Sequence, residues 1–96
     1  MQTILGANGQ IAVELARELH RGFTTDIRLV SRSPRRVNDS DELVQADLLD
    51  ARQTAAAVAG SGIVYFTAGH PADADLWERQ FPTKLRNALD AARAAG

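Results

Sequence analysis

The chain contains no cysteine, which excludes a disulfide framework, a thiolate metal site and a cysteine nucleophile. It also lacks an excess of charge of either sign. The formal net charge is -1 and the pI is about 6.0, so electrostatics gives no reason to expect nucleic acid or a membrane as a partner. No apolar run approaches the roughly 20 residues of a membrane span, and no secretory signal is visible. These absences favour a soluble, cytoplasmic protein.

The composition that is present favours a packed globular core. Hydrophobic residues make up 45% of the chain and charged residues 24%. A length of 96 residues allows one domain at most, and it is short for a complete α/β fold. We therefore expect a single domain over residues 1–96, with no second domain on this chain.

Short apolar runs alternate with helical patterns along the chain. The strongest strand signal is Ile63–Phe66, a continuous β-branched and aromatic run typical of a parallel strand covered on both faces. Two helices are predicted to end at Gly22 and Gly60, and the second is predicted to begin after an N-cap at Asp50. The last helix is predicted to bury an apolar stripe of Phe81, Leu85, Ala88, Leu89 and Ala92. The predicted strands are Thr3–Leu5, Asp26–Arg32, Leu43–Ala46 and Ile63–Phe66; the predicted helices are Gln10–Arg21, Ala51–Ala59 and one from near Leu76 toward Gly96.

The order β-α-β-loop-β-α-β-α predicts a parallel sheet with right-handed crossovers. Ligands of such sheets bind outside the carboxyl ends of the strands, near the point where the strand order reverses. Gly6, Arg32, Asp47 and Gly69 all fall at predicted carboxyl ends. Their shared position predicts a ligand site at that edge of the sheet.

The segment GANGQIA lies between the first strand and the first helix. Gly6, Gly9 and Ala12 fit the spacing G-x-x-G-x-x-[G/A]. In a dinucleotide-binding unit the first glycine makes the tight turn, and the second lets the backbone approach the pyrophosphate at the helix N-terminus. A third small residue lets the helix pack closely on the strand. The alternative is a glycine-containing turn that holds no ligand.

Arg32 closes the second predicted strand, where a carboxylate would bind the 2′-hydroxyl of NAD. A guanidinium at this place suits a 2′-phosphate, because its fork of donors meets phosphate oxygens bidentately. The sequence therefore predicts NADP rather than NAD. Arg35 and Arg36, further along, are better explained as a solvated loop cluster.

The segments GANGQIA, LVSR, ADLLD and VYFTAG, in this order and spacing, resemble the short-chain dehydrogenase/reductase superfamily. The resemblance is to its extended and atypical branches, the NAD-dependent epimerase/dehydratase and NmrA-like NAD(P)H-binding proteins. The terminal segment WERQFPTKLRNALDAARAAG looks like the helix that those branches carry before their fifth strand. The resemblance covers essentially the whole chain. It implies a partial Rossmann-type parallel sheet of four strands, in the order 3-2-1-4, that binds NADP or, alternatively, NAD.

Carried over position by position, the resemblance implies a role in cofactor binding for several residues. Arg32 would meet the 2′-phosphate, and Asp47 and Leu48 would flank the adenine, with Asp47 accepting a hydrogen bond from its exocyclic amine. The pyrophosphate turn would be formed by Gly6, Ala7, Asn8, Gly9, Gln10 and Ile11. The ribose nearer the nicotinamide would be lined by Thr67, Ala68 and Gly69. Two positions depart from the family pattern: Asn8 replaces a more usual Thr or Ser, and Ala12 replaces Gly, which implies slightly looser helix–strand packing.

The Tyr-x-x-x-Lys pair with which these enzymes move a proton is missing, because the one tyrosine, Tyr65, and the one lysine, Lys84, are far apart in sequence. Core packing is the better explanation of Tyr65. His20 falls at an exposed helix end, whereas His70 falls beside the expected cofactor groove, where it could contact substrate. No Ser/His/Asp triad is evident, and two histidines with scattered carboxylates do not make a metal site. We therefore expect no catalytic residue and no metal on this chain.

The family pattern and the end of the chain at Gly96 predict a truncated N-terminal half of a longer protein, without the fifth strand. The fourth strand would then be an apolar edge, covered by the missing half or by self-association. Three functions stay open: the NADP-binding part of an oxidoreductase or epimerase, a non-catalytic NmrA-like NADP sensor acting through a protein partner, or an α/β domain such as a flavodoxin-like one whose turn holds no dinucleotide. A Tyr-x-x-x-Lys motif beyond Gly96 would favour the first.

Overall fold

The computed structural model describes residues 1–7, 9–67 and 74–95, with side chains described from Arg79 onward in the last range. All the predicted strands and helices are present, and their ends differ from the predicted ones by one or two residues. The elements are β1 (Gln2–Leu5), α1 (Gln10–Gly22), β2 (Ile27–Ser31), β3 (Glu42–Gln45), α2 (Ala51–Val58), β4 (Ile63–Phe66) and α3 (Ala74–Ala95).

The four strands form one parallel sheet in the order β3-β2-β1-β4. Strand β1 is central: Leu5 lies opposite Val30 of β2 and opposite Phe66 of β4. The predicted Rossmann-type order 3-2-1-4 is therefore confirmed. The chain proceeds from β1 to β2 and β3 on one side and then returns to β4 on the other, so the strand order reverses between β1 and β4.

A separate hydrophobic core covers each face of the sheet. Successive residues of β1 point to opposite faces, so Ile4 packs in the core beneath α1 and Leu5 packs in the core beneath α2 and α3. Both side chains are fully buried, as are Leu29 and Val30 of β2. This two-sided burial explains why these strands carry continuous apolar runs rather than an alternating pattern.

Strand β4 is less covered than its sequence predicts. Ile63 is 47% exposed, and the other three residues of β4 are only half-buried. The prediction of a strand covered on both faces is wrong for the described part of the chain, because β4 lies at the edge of the sheet and pairs only with β1. The apolar composition alone did not distinguish an edge strand from a central one, whereas the expected strand order 3-2-1-4 did predict the edge position.

Helix α2 begins and ends as predicted. The carboxylate of Asp50 accepts hydrogen bonds from the backbone N–H groups of Arg52 and Gln53, at 2.9 and 3.1 Å. The hydrogen bond from Gln53, with that from Arg52, lowers the pKa of the Asp50 carboxyl. After the helix, Gly60 takes a left-handed conformation with φ of 80°, which is the conformation that favours glycine at a helix end.

Helix α1 ends differently from its prediction. The helix includes Gly22, whose φ is not in the positive range, and Phe23 is the capping residue with φ of -128°. The N–H groups of Phe23 and Thr24 both donate to the carbonyl of Leu19, at 2.9 and 2.8 Å. The last turn is thus closed by hydrogen bonds that do not require a left-handed glycine.

The buried side of α3 also differs from the predicted stripe. From Arg79 onward, Ala88 is buried as predicted, but Leu89 is 50% exposed, and the other buried positions are Lys84 and Ala91. The rest of the predicted stripe is half-buried: Phe81, Leu85 and Ala92. The small side chains of Ala88 and Ala91 allow α3 to pack closely in the same core as α2, and this turns Leu89 outward. No helix in the described ranges is long and apolar enough to cross a membrane.

Candidate functional site

The turn after β1 depends on a glycine. Gly6 has φ of 82°, a conformation that costs an L-residue with a side chain about 1–2 kcal/mol. The N–H groups of Gly6 and Ala7 both donate to the carbonyl of Val30, at 2.8 and 3.0 Å. The chain therefore leaves β1 while still anchored to β2, and it turns directly toward the start of α1.

Among the described residues, the N-terminus of α1 has no side-chain cap and no acidic group that would neutralise it. Gly9 is the N-cap, no side chain caps the helix, and its first turn contains no acidic residue. The first backbone hydrogen bond of the helix in the described residues runs from the Val13 N–H to the Gly9 carbonyl, at 3.0 Å. The positive end of the helix dipole thus faces an exposed glycine, which is the arrangement that accommodates a phosphate.

The described residues leave free space beside the N-terminus of α1. A Cβ built on Gly9 would meet only the Gly6 carbonyl oxygen among the described atoms, at 3.9 Å. Gln10 is exposed, and so is Ile11, at 75%. Ala12, by contrast, is 1% exposed and packs in the core beneath α1. The third small residue of the motif therefore serves packing, while Gly9 borders open space.

Thr67, directly after β4, braces the glycine turn from the other side. Its backbone N–H donates to the Leu5 carbonyl at 2.9 Å, and its hydroxyl lies 2.8 Å from the Leu5 carbonyl and 3.2 Å from the Gly6 carbonyl. The single hydroxyl proton is shared between these two acceptors, which leaves the oxygen able to accept a further hydrogen bond. Thr67 thus connects the carboxyl ends of β1 and β4.

The carboxyl end of β2 presents one buried polar group and one exposed cation. Strand β2 ends at Ser31, one residue earlier than predicted, and the Ser31 hydroxyl is buried with no hydrogen-bond partner among the described residues. Arg32 follows immediately, and its side chain is exposed. Further along, Arg35 is exposed and Arg36 donates to the carbonyl of Asp39 at 3.0 Å, in agreement with a solvated loop cluster.

The segment after β3 is held in place by its own hydrogen bonds. The Asp47 N–H donates to Gln53 Oε1, and Asp47 Oδ1 accepts from the Leu49 N–H, both at 2.9 Å. Leu48 is buried in the core beneath α2 and α3, and its carbonyl accepts from Asn87 Nδ2 at 2.8 Å. Asp47 keeps a half-buried position at the sheet edge, whereas the side chain of Leu48 faces the interior.

Lys84 is a site residue that the sequence interpretation missed. It lies on α3 and is only 9% exposed. Burial lowers the pKa of its ammonium group, the positive charge of Arg32 lowers it further, and the negative charge of Asp47 opposes both. Arg32 and Asp47 are therefore close enough to influence the charge of Lys84. The missed signal was positional, because Lys84 stands on the stripe between Phe81 and Ala88 where an apolar residue is expected.

Tyr65 and His20, the candidate residues that the structure describes, do not lie at this edge. The Tyr65 hydroxyl donates to Gln2 Oε1 at 2.9 Å, toward the amino end of β1, and its ring packs in the core beneath α1. His20 is exposed in the last turn of α1. Among the described residues no group of three or more side chains could hold a metal ion. The remaining predicted positions lie outside the described residues: Asn8, Ala68, Gly69 and His70.

The sequence matches the family described as NAD(P)H-binding over residues 6–96, and the chain belongs to this family. The family that the sequence motifs predicted is thereby confirmed, and so is a nicotinamide dinucleotide as the class of cofactor. No curated protein matches the chain.

Solved structures of dehydrogenases share the fold. Uronate dehydrogenase from Agrobacterium tumefaciens is 29% identical with a TM-score of 0.78, and the match covers 97% of this chain and 36% of that one. A tyrosine-to-alanine variant of that enzyme, solved in complex with NAD, gives the same values. The GalE-like L-threonine dehydrogenase from Cupriavidus necator, in its holo form, is 27% identical with a TM-score of 0.78, covering 99% of this chain and 33% of that one. The chain thus spans about a third of the length of these structures.

Proposed function

We propose that this chain binds NADP(H) at the carboxyl edge of its sheet, as the cofactor-binding part of an oxidoreductase or epimerase/dehydratase-like protein. The observation that carries the proposal is the glycine turn. Gly6 adopts a left-handed conformation, and Gly9 leaves the N-terminus of α1 without a side-chain cap. This combination fits a pyrophosphate, because free backbone donors and the helix dipole both favour an anion there.

The preference for NADP rests on Arg32. It follows β2, the strand next to β1, and its guanidinium is exposed at the same edge as the glycine turn. No carboxylate stands at that position to accept the 2′-hydroxyl of NAD. A phosphate at the same place would instead meet a guanidinium and form charge-assisted hydrogen bonds. Asp47, after β3, is the group proposed to accept from the adenine amine.

The reaction itself requires groups that this chain does not supply. A bound nicotinamide accepts or donates a hydride, and the residues of this chain bind and orient it. The one tyrosine has its hydroxyl directed to Gln2, away from the carboxyl edge, so Tyr65 is not placed to transfer a proton there. We propose that the proton-transferring pair of the whole protein lies outside these 96 residues.

The glycine turn also supports a second candidate, a non-catalytic NADP sensor that acts through a protein partner. Such a module needs the glycine turn and Arg32 but no tyrosine at the carboxyl edge. Both candidates require cofactor binding, and they differ in whether the whole protein oxidises or reduces a substrate. A turnover assay on the whole protein separates them.

Cofactor binding can be tested on this chain by titration with NADPH and NADH, followed by the NMR shifts of the Gly6, Gly9, Arg32 and Asp47 amides. We expect shifts at all four amides and tighter binding of NADPH. The Arg32→Ala variant should weaken NADPH binding by about tenfold, since a charge-assisted hydrogen bond contributes about 1.5–3 kcal/mol, and should leave NADH nearly unchanged.

The matched control is Arg35→Ala, which removes the same charge from an exposed position of the same loop. It should change neither affinity by more than about twofold, because exposed charges contribute little at ordinary ionic strength. A folded chain that binds neither nucleotide, or an equal preference for the two that Arg32→Ala does not alter, would contradict the NADP proposal.

A further inference from the structure

Gln53 joins the start of α2 to a residue of the proposed site. It is the third residue after the N-cap Asp50, the position from which a glutamine side chain ordinarily reaches back to the backbone N–H of the N-cap itself. That N–H is already occupied, because it donates to the Asp47 carbonyl at 2.9 Å. Gln53 Oε1 instead accepts from the N–H of Asp47, at 2.9 Å. The side chain therefore reaches past the cap to the residue that follows β3 and the turn after it.

The amide of Gln53 contacts two partners that make opposite demands. Its oxygen accepts from the Asp47 N–H, while its Nε2 donates to Asp50 Oδ2 at 3.3 Å. Glutamate, the alternative residue at this position of a helix start, would keep only the first contact, because a carboxylate accepts hydrogen bonds and does not donate them. It would also place a further negative charge beside the Asp50 carboxylate. The pair of contacts therefore requires glutamine, although the side chain itself is exposed.

These contacts hold Asp47 through most of its polar groups. Its N–H donates to Gln53 and its carbonyl accepts from the Asp50 N–H. Its Oδ1 accepts from the Leu49 N–H at 2.9 Å. Among the described residues, no group donates a hydrogen bond to the remaining oxygen, Oδ2. A carboxylate whose backbone is fixed on both sides presents its free oxygen in a defined orientation, and recognition of a ligand N–H group depends on such support.

We infer that Gln53 is a positioning residue for adenine recognition: by holding Asp47, it keeps the Asp47 carboxylate where it accepts from the exocyclic amine of the cofactor. The inference rests on the proposed function, in which Asp47 has that role. It adds a residue that does not contact the cofactor and that acts through Asp47. Loss of the Gln53 amide should therefore affect binding through the adenine amine, and not through the phosphates.

The test compares NADPH with its hypoxanthine analogue, which carries an oxygen in place of the exocyclic amine and cannot donate from that position. We expect the wild-type chain to bind NADPH about tenfold more tightly than the analogue, because the hydrogen bond to a carboxylate is charge-assisted. Gln53→Met keeps the length of the side chain but removes both hydrogen bonds. It should reduce the preference to about threefold or less, by weakening NADPH and leaving the analogue nearly unchanged.

The matched control is Gln45→Met, the same change at an exposed position of β3. It should leave the preference for NADPH over the analogue unchanged. Circular dichroism establishes that each variant is folded. The NMR shift of the Asp47 amide proton in the free chain reports the hydrogen bond itself, and it should move in Gln53→Met but not in Gln45→Met. An Asp47 amide that does not move in Gln53→Met would contradict the inference before any nucleotide is added.

The nucleotide titrations separate this inference from the proposed function. If Asp47→Asn abolishes the preference for NADPH over the analogue but Gln53→Met retains it, the inference about Gln53 is wrong and the proposed function stands. Equal weakening of NADPH and the analogue in Gln53→Met would also overturn the inference, since the glutamine would then act only through the fold. A wild-type chain that binds both equally well contradicts the contact of Asp47 with adenine, and the inference with it. A wild-type chain that binds neither contradicts the proposed function as a whole.

Discussion

Two neighbouring parts of the carboxyl edge of the sheet offer different kinds of chemical group to a ligand. At the end of β1 the groups available to a ligand are backbone N–H groups at the start of α1, which follows a left-handed Gly6 and an N-cap glycine, whereas the N–H groups of Gly6 and Ala7 donate to the Val30 carbonyl. At the ends of β2 and β3 they are the charged side chains of Arg32 and Asp47. Backbone donors at a helix end suit any pyrophosphate, whereas in the proposed function the charged groups meet the one phosphate by which NADP differs from NAD. The proposal thus assigns affinity to the first part and discrimination to the second.

The largest effect is expected from Gly6→Ala, which changes the backbone conformation of the turn after β1. The φ of 82° disfavours any residue with a Cβ, so the free energy of unfolding should fall by about 1–2 kcal/mol. Affinity for NADPH and NADH should fall together, by about tenfold or more, because the donors of the turn are displaced. Chemical denaturation and nucleotide titration measure the two effects.

Gly9→Ala is the matched control for this change. Gly9 has a negative φ and its Cβ would meet ordinary van der Waals space, so stability should fall by no more than about 1 kcal/mol, the usual cost of alanine at an N-cap. Affinity for both nucleotides should still fall, because the methyl group occupies the space through which the pyrophosphate approaches. A large loss of stability in Gly9→Ala, or a selective loss of NADPH binding in either variant, would break the distinction between the two parts of the edge.

An intermediate effect is expected from Thr67→Val, which keeps the shape of the side chain but removes its hydroxyl. The carbonyls of Leu5 and Gly6 would lose a partner, and the free energy of unfolding should fall by about 1 kcal/mol. NADPH and NADH binding should weaken to the same extent. Thr67→Ser retains the hydroxyl and serves as the control; if it behaves like valine, the hydrogen bonds are not what braces the turn.

The smallest effect concerns the stability of Lys84→Met. Below its lowered pKa, Lys84 is charged in both the folded and the unfolded chain, so folding carries the full cost of burying the charge. At neutral pH the methionine variant should therefore be more stable, by up to about 1 kcal/mol. As the pH rises above the folded pKa toward the ordinary value of 10.5, the folded protein releases its proton first and wild type gains stability.

The difference between wild type and Lys84→Met should thus shrink as the pH rises through that range. Denaturation curves at a series of pH values, with Arg86→Met as reference for the loss of one exposed charge, would measure it. A difference that stays constant with pH would mean that the lysine is not desolvated in the folded chain.

The glycine turn and the cap at Asp50 could be predicted from the sequence because each depends on local chemistry, and a parallel sheet could be predicted from the alternation of elements, whereas the strand order 3-2-1-4 came from the family resemblance. Alternating strands and helices restrict the topology to a few arrangements, and a left-handed turn calls for glycine. The edge position of β4 followed from the expected strand order and not from its composition, because an apolar run looks the same at the edge of a sheet as at its centre. The exposure of Leu89 could not be predicted, because it depends on what packs against α3 from elsewhere in the chain.

The position of Lys84 also could not be predicted from the sequence alone. Helical spacing placed it on the inner stripe, but its charge argued for the surface, and only the contacts of α3 with β4 and with the segment after β3 decide between them. The roles of Arg32 and Asp47 could be suggested from strand ends alone. Lys84 lies on a helix some 40 residues after Asp47. Its position relative to Arg32 and Asp47 depends on tertiary packing, which the strand ends alone do not reveal.

The open space beside Gly9 predicts which residues occupy position 9 in evolutionarily related chains. The fold itself makes no demand for glycine at that position, whereas the backbone conformation at Gly6 does. In a lineage that still binds the nucleotide, both glycines should persist. In one that has lost the nucleotide but kept the fold, Gly9 should drift to serine, asparagine or aspartate, which cap a helix equally well or better, while Gly6 stays. The residue at position 9 in related chains is therefore a record of whether the cofactor is still in use.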